Sequence, residues 1–434
     1  MSRTAPARRQ VAVIGAGVAG LTAAYLLQRG SDVTLYEEQD RLGGHAHTHD
    51  IAVADRALAV DSGFIVHNER TYPMLCRLFR ELGVRTRPSE MSMSVRCEGC
   101  GLVYAGARGL AGLVAQPTWV RRPSYLAMLA QIPVFYRHAR SLLANAGDGA
   151  GSGQAAAVPG PTLGQFLAAG RYSAYFVSHF ALPLVSAVWS CGPQMVSEYP
   201  ARHLFTFLAQ HGMLHVRPSV PWRTVEGGSR RYVNAVAREL HAVRTSAPVR
   251  SVRRHACGAA IRDVADTVRE FDAVVIATHA DQALRLLADP NSTQRAVLSA
   301  FAYSRNQTVL HTDESVLPGR RAARASWNYV QPSCAPARGG VQISYDLNRL
   351  QRLGAAVPVV VTLNGGERIR TDRVLATMVY EHPVYTPAAV AAQAELPSLN
   401  DGVLAFAGAY HGWGFHEDGC RSGVAAARSL GVTW

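Results

Sequence analysis

Val11 to Thr48 reads VAVIGAGVAGLTAAYLLQRGSDVTLYEEQDRLGGHAHT, and the rest of the chain is best understood outward from this stretch. Val11-Ala12-Val13-Ile14 is an apolar run of the kind a strand buried on both faces requires. Gly15, Gly17 and Gly20 follow at GxGxxG spacing. The first allows a tight turn, the second lets a pyrophosphate approach the backbone, and the third lets helix and strand pack closely. Leu21 to Arg29 predicts a helix whose N-terminal amides and positive dipole end face that pyrophosphate. Gly30 ends the helix, Asp32 to Tyr36 is a second strand, and Glu37 closes it about 20 residues after the glycines, where a carboxylate bonds ribose hydroxyls.

The chain has 434 residues and 48% hydrophobic content, enough for a large core divided between two domains. Its formal charge is +13, and all 44 basic residues are arginine. Such a surface suits an anionic partner: a membrane, an acidic carrier or a carboxylate substrate. No segment resembles a nucleic-acid module, so no nucleic-acid partner is expected. The seven cysteines are odd in number and scattered, which argues for a reducing compartment over a disulfide framework. Cys97-Glu98-Gly99-Cys100 is a CxxC without a second pair to complete a zinc site. Its flanks, 92–95 and 102–104, read as hairpin strands around a glycine turn, and no metal is expected. Met1 to Gln10 lacks the apolar core of a signal peptide, and no apolar run reaches a spanning length of about 18 residues. The expectation is a cytoplasmic protein, with membrane association as an option.

Farther along, Asp61-Ser62-Gly63-Phe64 offers a small residue and a glycine against which a flat ring can lie. Met74 to Leu82 predicts an amphipathic helix. His67 and Tyr72, at its entrance, either face substrate or are satisfied buried polar groups. Residues 108–143 interleave Arg108, Arg121, Arg122, Arg137 and Arg140 with Trp119, Tyr125, Phe135 and Tyr136. That pattern suits either a helix resting in a membrane interface or a substrate-domain helix with a solvated face. Asn145 to Pro161 reads as a flexible loop, and Phe176 to Trp189 as tunnel lining or plain core. Pro248 to Val252 and Phe271 to Thr278 are strands returning to the dinucleotide, and 309–311, 341–345 and 357–363 are strands of a second sheet. Val403 to Gly408 is a strand ending in glycine, and Gly414-Phe415-His416-Glu417-Asp418-Gly419 opens a last helix. His411, His416 and Glu417 also have the composition of a metal set, but a helix start punctuated by glycines favours a contact to the dinucleotide.

Arg41-Leu42-Gly43-Gly44, four to seven positions after Glu37, resembles the E-x-x-x-R-x-G-G segment of the flavin amine oxidase superfamily. Asp272-Ala273-Val274-Val275-Ile276-Ala277 and Gly414 to Gly419 resemble two more of its motifs. Four segments look like one bacterial subfamily of NAD(P)/FAD-binding proteins found beside cyclopropane-fatty-acid-synthase-like methyltransferases. They are Phe64 to Pro73, Trp222 to Val233, Asp346 to Gln351 and Gly414 to Gly419. The resemblance implies an α/β, Rossmann-like FAD-binding domain of the GR2, amine-oxidase-like type with a second, mixed α+β substrate domain. The FAD domain is expected from 1–66, 221–290 and 401–434, and the substrate domain from 67–220 and 291–400.

The resemblance also implies FAD as cofactor, held by Gly15, Ala16, Gly17, Val18, Ala19, Gly20, Glu37, Glu38, Arg41, Gly43, Gly44, His45, Ser62, Gly63, Phe64, Val249, Ala277, Gly408, Phe415, His416, Glu417, Asp418 and Gly419. Many amine oxidases of the superfamily place a lysine near the flavin, and this sequence contains no lysine. Oxidation or desaturation of a hydrophobic acyl-lipid substrate therefore becomes the leading expectation. Double-bond isomerisation, or a non-catalytic role beside a lipid methyltransferase partner, stands as the alternative, with amine oxidation in the narrow sense third. A base for such chemistry is most economically a histidine, with His67, His411 and His416 as candidates.

Overall fold

A computed structural model describes residues 8–53, 55–106, 109–145, 160–215, 220–336 and 339–434. The loop expected at 145–161 and Arg108 lie almost wholly or wholly outside them.

A five-stranded parallel sheet lies under the dinucleotide motif, in the order Leu404–Phe406, Ala273–Ile276, Arg9–Ile14, Ser31–Tyr36, Ala242–Arg244. Its central strands are buried on both faces, which is why Val11 to Ile14 and Ala273 to Ile276 are uninterrupted apolar runs. The helix that follows the first strand is Val18–Leu27, beginning directly after Gly17 and not at Leu21. That shift brings the start of the helix to the glycine turn itself. The last helix, His416–Ser429, packs along this first helix. A Cβ on Gly419 would sit 2.6 Å from the Val18 side chain, and one on Gly423 would strike the Ala19 carbonyl. The amino and carboxyl ends of the sequence thus form one helical layer over the sheet.

A mixed seven-stranded sheet carries the second region, in the order Val374–Val384, Ala302–His311, Val360–Leu363, Gln342–Asp346, Trp327–Gln331, Met93–Cys97, Val103–Ala105. All neighbours are antiparallel except Trp327–Gln331 and Met93–Cys97. The hairpin expected around the CxxC is its edge. Helices from Pro123–Ala144 to Ala201–Gln210 cover this sheet with a core built largely of aromatics, while Pro73–Glu81 packs in the core of the dinucleotide region. Trp119, Tyr125, Phe135 and Tyr136 all belong to that core, Phe135 lying within 5.6 Å of both Phe176 and Phe205. These four rings are buried in protein and are not the ones a membrane contact of this stretch would use. Among the described residues no helix is long and apolar enough to cross a membrane.

The two regions are joined through Asp61, a buried carboxylate. It accepts hydrogen bonds from Thr48 Oγ1 (2.6 Å), Ser229 N (2.9 Å) and Gln351 Nε2 (3.0 Å). Desolvation raises its pKa to about 6 even though these donors act in the opposite direction.

Candidate functional site

A cavity of about 880 Å³ runs from the glycine turn to the seven-stranded sheet. At one end lie Gly15, Ala16, Gly17, Val18 and Ala19. Gly15 has φ +97°, and a Cβ there would come within 2.7 Å of the Ala277 carbonyl oxygen, so only glycine makes this turn without strain. Gly17 has open space where its Cβ would be, which is the space a ligand would take. The helix it begins has no side-chain cap and no acidic residue in its first turn, leaving its amides for an anion. Gly20 does not line the cavity; a Cβ there would run into the Gly15 carbonyl, so it serves the packing of turn on helix.

Glu37, 9% exposed, lines the wall next to Glu38 and accepts from Ala16 N at 2.8 Å and Gln39 N at 3.0 Å. Arg41 and Gly44 line it as well, tied together by a 2.9 Å bond from the guanidinium to the Gly44 carbonyl. Gly43 stands behind the wall, its N–H donating to the Ala16 carbonyl at 2.8 Å, and so locks the second glycine turn to the first. His45, Ser62, Gly63, Phe64, Val249, Ala277 and Gly408 complete this part of the surface. Tyr36 Oη, His45 Nε2 and Tyr410 Oη are buried on wall residues with no protein partner. An elongated groove with open helix amides, a ribose-height carboxylate and unclaimed polar atoms fits a dinucleotide such as FAD.

The last helix places its residues differently from one another. Phe415 and His416 reach the cavity. His416 stacks on Phe64 at 3.7 Å, and its Nε2 lies 3.1 Å from the Tyr232 hydroxyl. Glu417, Asp418 and Gly419, read in the sequence as cofactor-binding, do not line the cavity. Glu417 caps the helix Pro73–Glu81 by accepting from Met74 N and Leu75 N, both at 3.0 Å, and burial pushes it up to about 7. Asp418 accepts from Trp413 N and Phe415 N, both at 3.0 Å, fixing the turn that leads into its own helix; burial raises it to about 6. Gly419 is the packing position against Val18 described above.

Of the histidines read as bases, only His416 faces the cavity. His67 is 1% exposed and its backbone pairs with Arg223, while its ring edge abuts Phe79 at 5.3 Å. His411 is half-buried in the turn after Gly408, outside the wall. Desolvation lowers His67 and His411 to about 4 and His416 to about 3. Tyr72, paired with His67 in the sequence reading, does reach the wall.

Sequence reasoning missed the strand Val374–Val384 as a source of wall residues. Its Tyr380 hydroxyl bonds Ser62 Oγ at 2.6 Å and His47 Nδ1 at 2.9 Å, and His382 lies 5.3 Å from the His45 ring. Asn306 Nδ2 donates to His382 Nδ1 at 3.0 Å, which holds the ring as a neutral tautomer; burial lowers it to about 4. Nothing in the alternation of this half-exposed strand marks those two positions. Beyond them the cavity is walled by Val188, Trp189, Phe207, Met213, Trp413 and Phe415. Phe207 and Phe415 stack at 4.4 Å, and each indole is anchored, Trp189 Nε1 to the Trp413 carbonyl and Trp413 Nε1 to the His203 carbonyl.

The sequence matches the family described as flavin containing amine oxidoreductase over residues 18–430. It is 28% identical over 263 residues to AofH of Mycobacterium tuberculosis, a protein named as a flavin-containing monoamine oxidase. That match covers 58% of this chain and 53% of the relative, so the chain spans about half the length of the curated relatives it matches. Among solved structures, cyclohexylamine oxidase from Brevibacterium oxydans superposes with TM-score 0.67 at 17% identity, covering 98% of each chain. A fatty acid isomerase from P. acnes that produces CLA does so with TM-score 0.66 at 17% identity, covering 97% of this chain and 98% of that one. At such identity these likenesses speak for the fold alone. The glycine cradle, the parallel sheet gathered from distant segments and the family match agree, and the chain belongs to the flavin-containing amine oxidoreductases, a family of FAD-binding oxidoreductases.

Proposed function

We propose that this protein oxidises or desaturates a hydrophobic acyl or lipid substrate. When bound, FAD supplies the acceptor for a hydride. Gly15 to Ala19, Glu37, Arg41, Gly44 and His45 are taken to hold its phosphates and ribose, and Phe64, Gly408, Phe415 and His416 to bound its ring.

The observation that carries the substrate class is the inner wall. Val188, Trp189, Phe207, Met213, Trp413 and Phe415 present no charge, and the carboxylates on described wall residues are Glu37, Glu38 and Glu381. Glu37 and Glu38 stand at the dinucleotide end, and Glu381 is engaged by Arg305 at 3.3 Å and His279 at 3.4 Å. An ammonium group entering the aromatic part would lose its hydration with no anion to replace it, whereas an acyl chain gains from burial. The wall residues exclude water and align the chain, and the neutral histidines offer hydrogen bonds.

A second reading, flavin-dependent double-bond isomerisation, draws on the same histidines. With pKa values of about 3 to 4, His416 and His382 are poor proton acceptors at neutral pH, and a reaction that removes and returns one hydride asks for no base. The finer expectations belong here too. Membership of the subfamily found beside cyclopropane-fatty-acid-synthase-like enzymes, a methyltransferase partner and peripheral membrane contact are consistent with a lipid substrate. Exposed Leu110, Val114 and Leu126, near Arg121 and Arg122, are the surface such membrane contact would use.

The test begins with mass spectrometry of flavin and lipid extracted from purified protein, followed by anaerobic mixing with unsaturated fatty acids and phospholipid vesicles. Bleaching of the flavin with a new double bond in the product supports oxidation. Migration of a double bond without bleaching supports isomerisation. Flavin that stays oxidised with every lipid, alone and with the methyltransferase, overturns both in favour of a binding role. Bleaching by primary amines alone restores amine oxidation.

A further inference from the structure

The CxxC at the edge of the seven-stranded sheet is not alone in space. The fold brings His179 and Cys334 to it, 79 residues beyond Cys100 and 237 beyond Cys97. One ligand atom from each of Cys97, Cys100, His179 and Cys334 lies within 4.8 Å of all the others. We propose that these four side chains bind one zinc ion, a structural site that clasps the sheet edge to the helical layer.

The distances support a tetrahedron. With Zn–S of about 2.3 Å and Zn–N of about 2.0 Å, tetrahedral angles require S···S of about 3.8 Å and S···N of about 3.5 Å. Cys97 Sγ and Cys334 Sγ are 3.8 Å apart, and Cys100 Sγ is 3.6 Å from His179 Nε2.

The surroundings are those of a metal ligand set. His179 Nδ1 donates to the Tyr175 carbonyl at 3.0 Å, which leaves Nε2 unprotonated and turned toward the sulfurs. The ring stacks on Tyr175 at 4.0 Å, and the Tyr104 hydroxyl donates to the His179 carbonyl at 2.8 Å, holding its backbone. His179 sits in a π-helical turn, Val177–Ala181, an irregularity often found at functional sites.

A disulfide would use two of the three sulfurs and leave a thiol and an imidazole converging on nothing, whereas one ion uses all four groups. Four protein ligands close the coordination sphere, and none of the four residues lines the flavin cavity, so the ion is structural and not catalytic. Binding displaces three thiol protons to solvent and involves no change of oxidation state. The sequence reading expected no metal because it looked for a second CxxC, whereas the partners proposed here come from a helix and a loop.

The experiment is metal analysis of the full-length holoprotein purified with reductant and without added metal. About one zinc per chain is expected, lost in Cys334→Ser and Cys100→Ser while bound FAD is retained. Should those variants not fold, wild-type protein stripped with chelator and loaded with Co(II) gives an independent reading. Intense tetrahedral d–d bands to the red of the flavin absorption, with thiolate charge transfer, support the site. The proposal is overturned if protein from zinc-supplemented cells carries no zinc and reduced apoprotein gives no such cobalt spectrum. Iron in place of zinc overturns the choice of metal, and a Cys97–Cys100 or Cys97–Cys334 disulfide found by thiol-blocked peptide mapping overturns the site.

Discussion

The glycine turn at Gly15 to Gly20 and the aromatic wall from Val188 to Phe415 face one cavity, yet they are built on opposite principles. The turn is made of backbone: its glycines are required by a positive φ, by an open approach and by the Gly15 carbonyl that fills the space beside Gly20. The wall is made of side chains from remote segments, each held by a neighbour, as the two indoles are. The first is intolerant of added atoms. The second tolerates changes of shape but not of polarity.

Gly20→Val should break the contrast at its strongest point. A side chain there must displace the turn it packs on, at a cost expected to exceed about 3 kcal/mol, so flavin content after purification should fall to near zero with a lowered Tm. Retention of FAD would show that the turn is more pliant than a backbone-built cradle should be.

Acidification tests the seam between the two regions. Burial lowers His47 and His416 to about 3, and His67, His203, His211, His311, His382 and His411 to about 4. In the unfolded chain a histidine takes its proton near pH 6.5, so the stability held by these eight is fully present above that pH and lost as pH falls toward their folded values. Asp61 and Asp418 at about 6 and Glu417 at about 7 act oppositely, stabilising below their unfolded values and losing that contribution as pH rises. Eight groups outweigh three, and Tm measured from pH 7.5 down to 4.5 should fall. A Tm that rises on acidification would contradict this balance.

Val188→Asp and Glu37→Gln form a pair that should separate the regions. The carboxylate at 188 should lower turnover of an acyl substrate by about 100-fold or more, since it is buried without a partner, and leave flavin content unchanged. Glu37→Gln, which loses charge-assisted bonds worth about 1.5–3 kcal/mol, should weaken FAD about 10- to 100-fold in a flavin-release titration while saturated enzyme keeps its substrate preference. If either variant moved both readouts equally, the division of labour would be wrong. The smallest effect belongs far from the cavity: Thr162→Ala removes the capping box of the helix Leu163–Ala169 and should cost about 1 kcal/mol in Tm analysis with no change in flavin.

The same contrast explains what could be read in advance. Val11 to Glu37 announced strand, turn, helix, strand and carboxylate because backbone constraints act between near neighbours. The strands at Ala273–Ile276 and Leu404–Phe406 were legible from their unbroken apolar runs. The backbone contacts of Glu417 and Asp418 could not be read in advance, because a carboxylate at a helix start reads alike whether it meets a ligand or caps a distant helix. His67 and His411 were indistinguishable in sequence from wall residues; their place in the packed structure separates them.

By itself, then, the sequence determined the dinucleotide turn, the strands that flank it, the last helix and the absence of any lysine to serve the cavity. Only the tertiary structure decided which of His67, His411 and His416 faces the cavity, that Tyr380 and His382 join it, and that His179 and Cys334 meet the CxxC. Local backbone geometry is written in consecutive residues, whereas a wall or a ligand set forms only when chain segments hundreds of residues apart are packed to within a few ångströms.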